Sequence, residues 1–442
     1  MNKKIIKQIF IVTLLIFAIL LSSCNFNNQI GSENIQIKTT ENALHKDGYK
    51  LKQVVILSRH NIRSPFSEKG SLLDTMTPHK WFEWTSNPSQ LSIRGGVLET
   101  EMGQYFRKWV EKESLFEENY DPKNINAETD EVRIYANSKQ RTLATANYFL
   151  TGLFPVSDID VEHHMKFDEM DPVFNPVLTN ITAEFEEKAT RQIDDLFSNT
   201  IKSLKPNYEL IEKVIDVKNS NDYKEGRFKG FSVDDSKFNF IENKEPSVTG
   251  SLKTACQISD ALTLQYYEGD EDMASFGKKL TFKNWEDISK VKDVYEDVLF
   301  TAPLVATNVA NPLLKEMLSE LKNINRKFTF LCGHDSNVAS VLSALSVSDY
   351  ELPKAIEKKT PIGCKVVIST LSKDDNIDDE YVMINMVYQT TEQLRGIDML
   401  DEKNPPAIFT LDFNDLEKNT DGLYKKDDII KLFEEAINKY NS

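Results

Sequence analysis

VVILSRHNIRSP, residues 54–65, decides how the rest of the chain is read. Val54–Leu57 are four apolar residues in a row, three of them β-branched or strand-compatible, so they read as a buried strand. The strand runs straight into Arg59, His60 and Arg63. In open α/β sheets, ligands sit beyond the carboxyl ends of the strands. A histidine between two arginines at such an end therefore reads as a place prepared for an anion.

Two further stretches repeat the strand–turn–helix pattern. VRIYANSKQRTLATANYFLTGLFP, residues 132–155, gives a strand over Val132–Ala136, a turn carrying Ser138, Lys139, Gln140 and Arg141, and a helix with Leu143, Ala146, Phe149 and Leu150 inward. KFTFLCGHDSNVASVLSALSV, residues 327–347, gives a strand over Phe328–Cys332, a turn with Gly333, His334 and Asp335, and a helix. Between the first two lies a helix whose Val97, Met102, Tyr105, Phe106, Trp109 and Val110 fall at helical spacing. KVVIST (365–370) and YVMINMVYQT (381–390) supply late strands, and Asp427–Tyr440 is an amphipathic helix.

From Asp171 to Phe300 the pattern is helical, with no clear buried strand. The expected fold is therefore α/β: a mostly parallel sheet flanked by helices, interrupted by a mainly α second domain. The boundaries are 47–171 and 299–442 for the α/β domain and 172–298 for the helical one.

The chain has 442 residues, 40% of them hydrophobic, enough for a large core. Its net charge of −16 argues against nucleic acid as a partner, because phosphate backbones require a basic face. A local arginine cluster can still set the field inside a pocket.

Residues 1–23 have the layout of a signal peptide: Lys3, Lys4 and Lys7, then an apolar run from Ile9 to Leu21. Leu21-Ser22-Ser23-Cys24 resembles a bacterial lipoprotein box, in which Cys24 becomes the lipidated first residue. Residues 24–46 read as a polar tether, and the chain is expected in the cell envelope, touching membrane only through that anchor. Cys256, Cys332 and Cys364 then remain; an odd number cannot form a disulfide framework, and whether Cys332 and Cys364 pair is left open.

The chemistry follows from the three strand ends. A tetrahedral anion needs forked, permanently charged donors, which Arg59, Arg63 and Arg141 supply. A neutral histidine nitrogen can attack phosphorus and form a covalent intermediate. A second, protonated histidine can steady the developing charge, and a carboxylic acid can protonate the leaving alcohol. His60, His334 and Asp335 offer those parts without a metal or cofactor. His163-His164 do not make a metal site, since neighbours on an extended segment point opposite ways. His79 near Trp81 and Trp84 reads as packing, and Tyr266-Tyr267 as wall or core.

SRHNIRSP resembles the RHGxRxP signature of the histidine acid phosphatases, CGHDSN resembles their HD signature, and ANSKQRTLATA resembles the segment with their third phosphate-binding arginine. The sheet is then expected to be phosphoglycerate-mutase-like. Longer runs are similar to the glucose-1-phosphatase branch, near the phytases: GSLLDTMTPHKWFEW (70–84), RGGVLETEMGQYFRKW (94–109), MDPVFNPV (170–177), LQYYEG (264–269), KTPIGCKVV (359–367) and VYQTTEQLR (387–395). The resemblance implies His60 as nucleophile, Arg59, Arg63, Arg141 and His334 on the phosphoryl group, and Asp335 as proton donor. It also implies that Glu245, in NKEPSVTG, contacts the sugar. The disulfides common in relatives do not carry over, and Asn61 stands where most members have glycine, with its side chain expected to narrow the pocket.

The expected function is an exported acid phosphomonoesterase for glucose 1-phosphate. Its rivals are a phytase of the same family and a lipoprotein that binds sugar phosphates without hydrolysing them.

Overall fold

The computed structural model describes residues 43–66, 70–120, 122, 131–373 and 379–440. Residues 42–442 form one compact unit. The expected signal segment, Cys24 and most of the tether lie outside the described residues.

The principal sheet contains β1 (Lys50–Arg59), β2 (Val132–Ala136), β5 (Phe328–Gly333), β6 (Lys365–Ser372), β7 (Glu380–Tyr388) and β8 (Ala407–Thr410), in the order β2-β5-β1-β6-β7-β8, with β9 (Tyr424–Lys425) also pairing with β7. A separate hairpin joins β3 (Lys237–Asn239) to β4 (Ser247–Thr249). β1 begins four residues before the expected Val54, because its early part gains backbone partners on β6.

β2, β5 and β1 are parallel, whereas β1–β6, β6–β7 and β7–β8 pair antiparallel. The sheet is thus mixed, and the expected parallel character belongs to the half that carries the strand–helix turns. The reason is connection length: residues 373–379 are too few for the crossover a parallel partner requires, so β7 returns as a hairpin.

The apolar run at the start of β1 is read by the pleat. Val55 and Leu57 enter one core, beneath α7 (Pro303–Lys322), α8 (Asp335–Ala344) and α9 (Lys426–Lys439); Val54 and Ile56 enter the other, against α1 (Ile93–Lys112) and α2 (Gln140–Leu153). All four are fully buried, each worth about 1.5–3 kcal/mol of transfer free energy. A third core lies among α3 (Ala183–Ser203), α4 (Lys205–Val214), α5 (Ser251–Glu268) and α6 (Phe282–Phe300), whose inner faces carry Ile193, Ile211, Leu262 and Ile288. The expectation of a helical stretch without a buried strand is met except for the short β3–β4 hairpin.

Helices α1 and α2 cross at two glycines. A Cβ on Gly103 would lie 2.2 Å from the Phe149 carbonyl oxygen, and one on Gly152 2.2 Å from that of Thr100. This close approach presses α1 onto the turn after β1, where Ser92 N–H donates to the Ile62 carbonyl at 2.9 Å. Cys256, Cys332 and Cys364 are buried free thiols, so Cys332 and Cys364 do not pair.

Gly152→Ala forces the two helices apart and should destabilise the protein by about 1–3 kcal/mol, read as a drop in Tm of several degrees. An unchanged Tm would show that the crossing is not tightly determined.

Candidate active site

The register of the parallel strands builds the site. Arg59 stands opposite Gly333, and Ala136 opposite Cys332, so the ends of β1, β2 and β5 lie side by side. Backbone bonds tie the turns together: His60 N–H donates to the Gly333 carbonyl at 3.1 Å and Asn137 N–H to that of Cys332 at 3.0 Å. Arg59 and Asp335, 276 positions apart in sequence (335 − 59), thereby share one cleft floor.

His60 is 3% exposed, and its Nδ1 lies 2.8 Å from the Asn61 carbonyl oxygen. That carbonyl can only accept, so Nδ1 carries the proton and Nε2 keeps its lone pair. Burial, reinforced by Arg141, Arg59 and Arg63, holds the imidazole well below the usual histidine range. It is therefore a free base in mildly acidic solution.

His334 is fixed by a similar argument. Asn137 Oδ1 accepts from Asp171 N–H at 2.9 Å, which turns its amide nitrogen toward His334 Nε2 at 2.7 Å. Nε2 thus accepts, and the proton sits on Nδ1, 3.4 Å from Arg141 Nη2. Two donors converging without an acceptor between them mark an anion position. Burial and Arg141 push the His334 pKa well below the usual range. The expectation of a protonated second histidine is thus corrected for the free protein: His334 offers one N–H as a neutral ring, because a further charge beside Arg141 is unfavourable.

The arginines differ in their counter-charges. Arg59 Nη1 donates to Glu357 Oε1 at 2.7 Å, and its Nη2 lies 3.3 Å from Asp335 Oδ2. Burial opposes its charge, but Glu357 and Asp335 outweigh burial and hold its pKa well above the ordinary value. Arg63 Nη2 pairs with Asp260 at 3.0 Å. Arg141 has no carboxylate within ion-pair distance among the described residues; burial and Arg63 push its pKa down to about 10. The Nε–H groups of all three are buried without a hydrogen-bond partner among the described residues. Unsatisfied buried donors are costly, and here all three belong to arginines whose charges act on His60.

Asp335 lies on the cleft floor with 27% of its side chain exposed. Burial disfavours its charge, yet Lys292 and Arg59 outweigh burial and hold the carboxyl well below the usual carboxylate range. Glu245 projects from the loop of the β3–β4 hairpin, pinned where Leu178 and Asn243–Lys244 exchange backbone bonds of 2.8–2.9 Å. It is exposed, but its surroundings desolvate it enough to raise its pKa, and it feels Asp335 and Arg141. Beside Asp335 opens a cavity of about 250 Å³, lined among others by Lys253, Gln257, Asp260, Tyr295 and Phe300.

The sequence reading had not singled out Lys292, Glu296, Glu357, Asp260 or Asn137. A signal existed for two of them: Lys292 and Glu296 share the helical stripe of Trp285, Ile288 and Leu299, where a charge is out of place. Asn61 does not narrow the pocket as expected. Its amide donates to buried Glu99 at 2.9 Å, and Glu99 is paired with fully buried Lys365 at 2.8 Å. His163 and His164 diverge, toward the Met165 carbonyl and Glu162. His79 stacks on Phe276, and Tyr266 on Trp285, with Tyr267 buried against Glu357.

Comparison with known proteins places this geometry. The chain is 39% identical over 397 residues to the glucose-1-phosphatase of Salmonella typhimurium and 36% over 392 residues to that of Providencia rettgeri, in each case over 88% of this chain and 92% of the relative. The phytase of Hafnia alvei has the same fold, with a TM-score of 0.79 at 24% identity over 90% of this chain and 99% of that one. The sequence model of the histidine phosphatase superfamily (branch 2) matches residues 50–386, and the chain belongs to that family.

Proposed function

We propose that the protein hydrolyses glucose 1-phosphate through a phosphohistidine intermediate. The observation that carries the reading is that His60, with its Nε2 lone pair free, feels the charges of three arginines that each keep a buried Nε–H without a partner among the described residues. A phosphoryl group there accepts from Arg59, Arg63, Arg141 and the Nδ1–H of His334. His60 Nε2 forms a bond to phosphorus while the bond from phosphorus to the sugar oxygen breaks. Asp335 gives its proton to that oxygen. Water then attacks the phosphohistidine, the Asp335 carboxylate takes the water's proton, and phosphate leaves with His60 restored.

The charges account for action in acid. His60 stays unprotonated at mildly acidic pH because its pKa is depressed. Asp335 is ionised in the free protein, but the bound phosphoryl group offsets Arg59 and Lys292 and restores its affinity for a proton. Its activity as an acid is lost as pH rises.

The substrate reading rests on charge and likeness. The cavity beside Asp335 is lined by Asp260, Gln257 and Lys253, groups that can hydrogen-bond sugar hydroxyls. Asp260 lines this cavity and Glu245 feels the charges of Asp335 and Arg141; carboxylates there would accept from sugar hydroxyls and repel additional phosphates. The relatives above 30% identity are named glucose-1-phosphatases. We propose further that the helical segment 172–298 is the part that selects the leaving group.

At pH about 5 with EDTA present, kcat/KM should be at least ~10-fold higher for glucose 1-phosphate than for phytate, and Glu245→Ala should narrow the ratio. A lead for phytate would overturn the substrate assignment while leaving the mechanism. His60→Ala should lower kcat by ~10⁴-fold or more with an unchanged melting curve. Acid quench of the native protein with ³²P-labelled substrate should trap label on His60; no label with any substrate would favour a protein that only captures sugar phosphates. Asp335→Asn should slow glucose 1-phosphate by ~10²–10⁴-fold and p-nitrophenyl phosphate far less, since that phenolate departs without a proton. Equal losses would remove Asp335 from the acid role.

A further inference from the structure

Asp335 cannot be understood without the charge beneath it. Its Oδ1 accepts from Ser336 N–H at 3.1 Å. Its Oδ2 is shared by two cations, Arg59 Nη2 at 3.3 Å and Lys292 Nζ at 3.1 Å. Lys292 comes from α6, outside the strand ends that build the rest of the site, and only 7% of its side chain is exposed. It is braced from behind by Glu357 Oε1 at 3.3 Å and Glu296 Oε2 at 3.5 Å. Those carboxylates are themselves held, Glu357 by Arg59 and Tyr267 and Glu296 by the Thr360 hydroxyl at 2.8–2.9 Å. A lysine side chain carries substantial rotamer freedom, and here it is spent in one buried geometry.

We propose that Lys292 is a positioning residue for the proton donor: its ammonium, braced by Glu296 and Glu357, fixes Oδ2 of Asp335, leaves Oδ1 to face the leaving oxygen, and controls the carboxyl's protonation. This rests on the reading of Asp335 as the acid.

The groups facing Asp335 come from every neighbouring element. They are Arg59 at the end of β1, His60 just after it, Arg141 on α2, Glu245 on the hairpin loop, Cys256 on α5, Lys292, Tyr295 and Glu296 on α6, and the adjacent His334. Of these, Lys292 contributes most to keeping Asp335 ionised. Burial lifts the Glu296 pKa to about 8, so in acid Glu296 is uncharged and braces Lys292 as a neutral hydrogen-bond acceptor that does not compete with Asp335 for its charge. The buried set is then balanced, with Arg59 and Lys292 against Asp335 and Glu357. Taking away Lys292 leaves the carboxyl less stabilised as an anion, and the acid must keep its proton to higher pH.

The test is the pH profile of kcat for Lys292→Met, Lys292→Arg and Asp335→Asn, with glucose 1-phosphate and p-nitrophenyl phosphate side by side. Lys292→Met should move the alkaline limb for glucose 1-phosphate upward by about one to three pH units, the range a contacting opposite charge commands. The limb for p-nitrophenyl phosphate should stay in place, and Lys292→Arg should return the first limb toward its native position. A role confined to packing would lower kcat without moving the limb. An unmoved limb in a folded Lys292→Met protein, equal shifts for both substrates, or loss of both activities alike would overturn the inference. Should Lys292→Met fail to fold, Lys292→Met with Glu357→Gln removes one charge of each sign and is read by the same criteria. If Asp335→Asn fails to discriminate between the two substrates, the acid reading itself falls; if it discriminates while Lys292→Met leaves the limb unmoved, only the role of Lys292 falls.

Discussion

Concentrated positive charge in a dry cleft is the constraint on which the rest of the structure depends. Arg59, Arg63, Arg141 and Lys292 are all largely buried. Each would be prohibitive without compensation, since a buried charge must be paired or hydrogen-bonded. Glu357 and Asp335 answer Arg59 and Lys292, and Asp260 answers Arg63. Arg141 lacks such an answer within the described protein and has a depressed pKa. The cleft is left short of one anion, and an incoming phosphoryl group supplies it.

Holding such a cluster in place requires a scaffold that does not yield. The centre of that scaffold is β1, buried on both faces and paired along both edges. Its alternating side chains anchor two separate cores, so the strand end cannot shift without disturbing both. Helices α1 and α2 meet glycine to glycine and press from one side, while α8 starts at the site itself with Asp335 in its first turn. On the far side of His60, the fully buried Lys365–Glu99 pair holds the amide of Asn61, whose carbonyl orients the His60 ring. Two buried ionic networks therefore flank His60, one reaching the neighbouring Asn61 and the other Asp335.

The same arrangement separates the two titrating partners from their ordinary ranges in a useful way. Burial and neighbouring cations keep His60 unprotonated in acid, as the proposed nucleophile must be, and the cations around Asp335 make its protonation depend on what else occupies the cleft. Binding of the anion and readiness of the acid are thereby coupled through charge alone.

Much of this was legible in the sequence, and the reasons are local. Four apolar residues ending in Arg59 and His60, the helix after Arg141 and the turn at His334-Asp335 each declare a strand, a turn and a chemistry within a few residues. Strand ends of one parallel sheet must also meet, so the grouping of these turns followed from fold class. The antiparallel half of the sheet, the tautomer of His334 and the destination of the Asn61 side chain did not follow, because each is set by a partner distant in the chain: β6 and β7, Asn137 and Glu99. Lys292 shows the division most clearly. Its place on the apolar stripe of α6 marks it as buried from sequence alone, but a buried cation is defined by the carboxylates it meets. Those come from α8, from α6 itself and from the segment before β6, and only the packing of the tertiary structure brings them within 3.1–3.5 Å of one nitrogen.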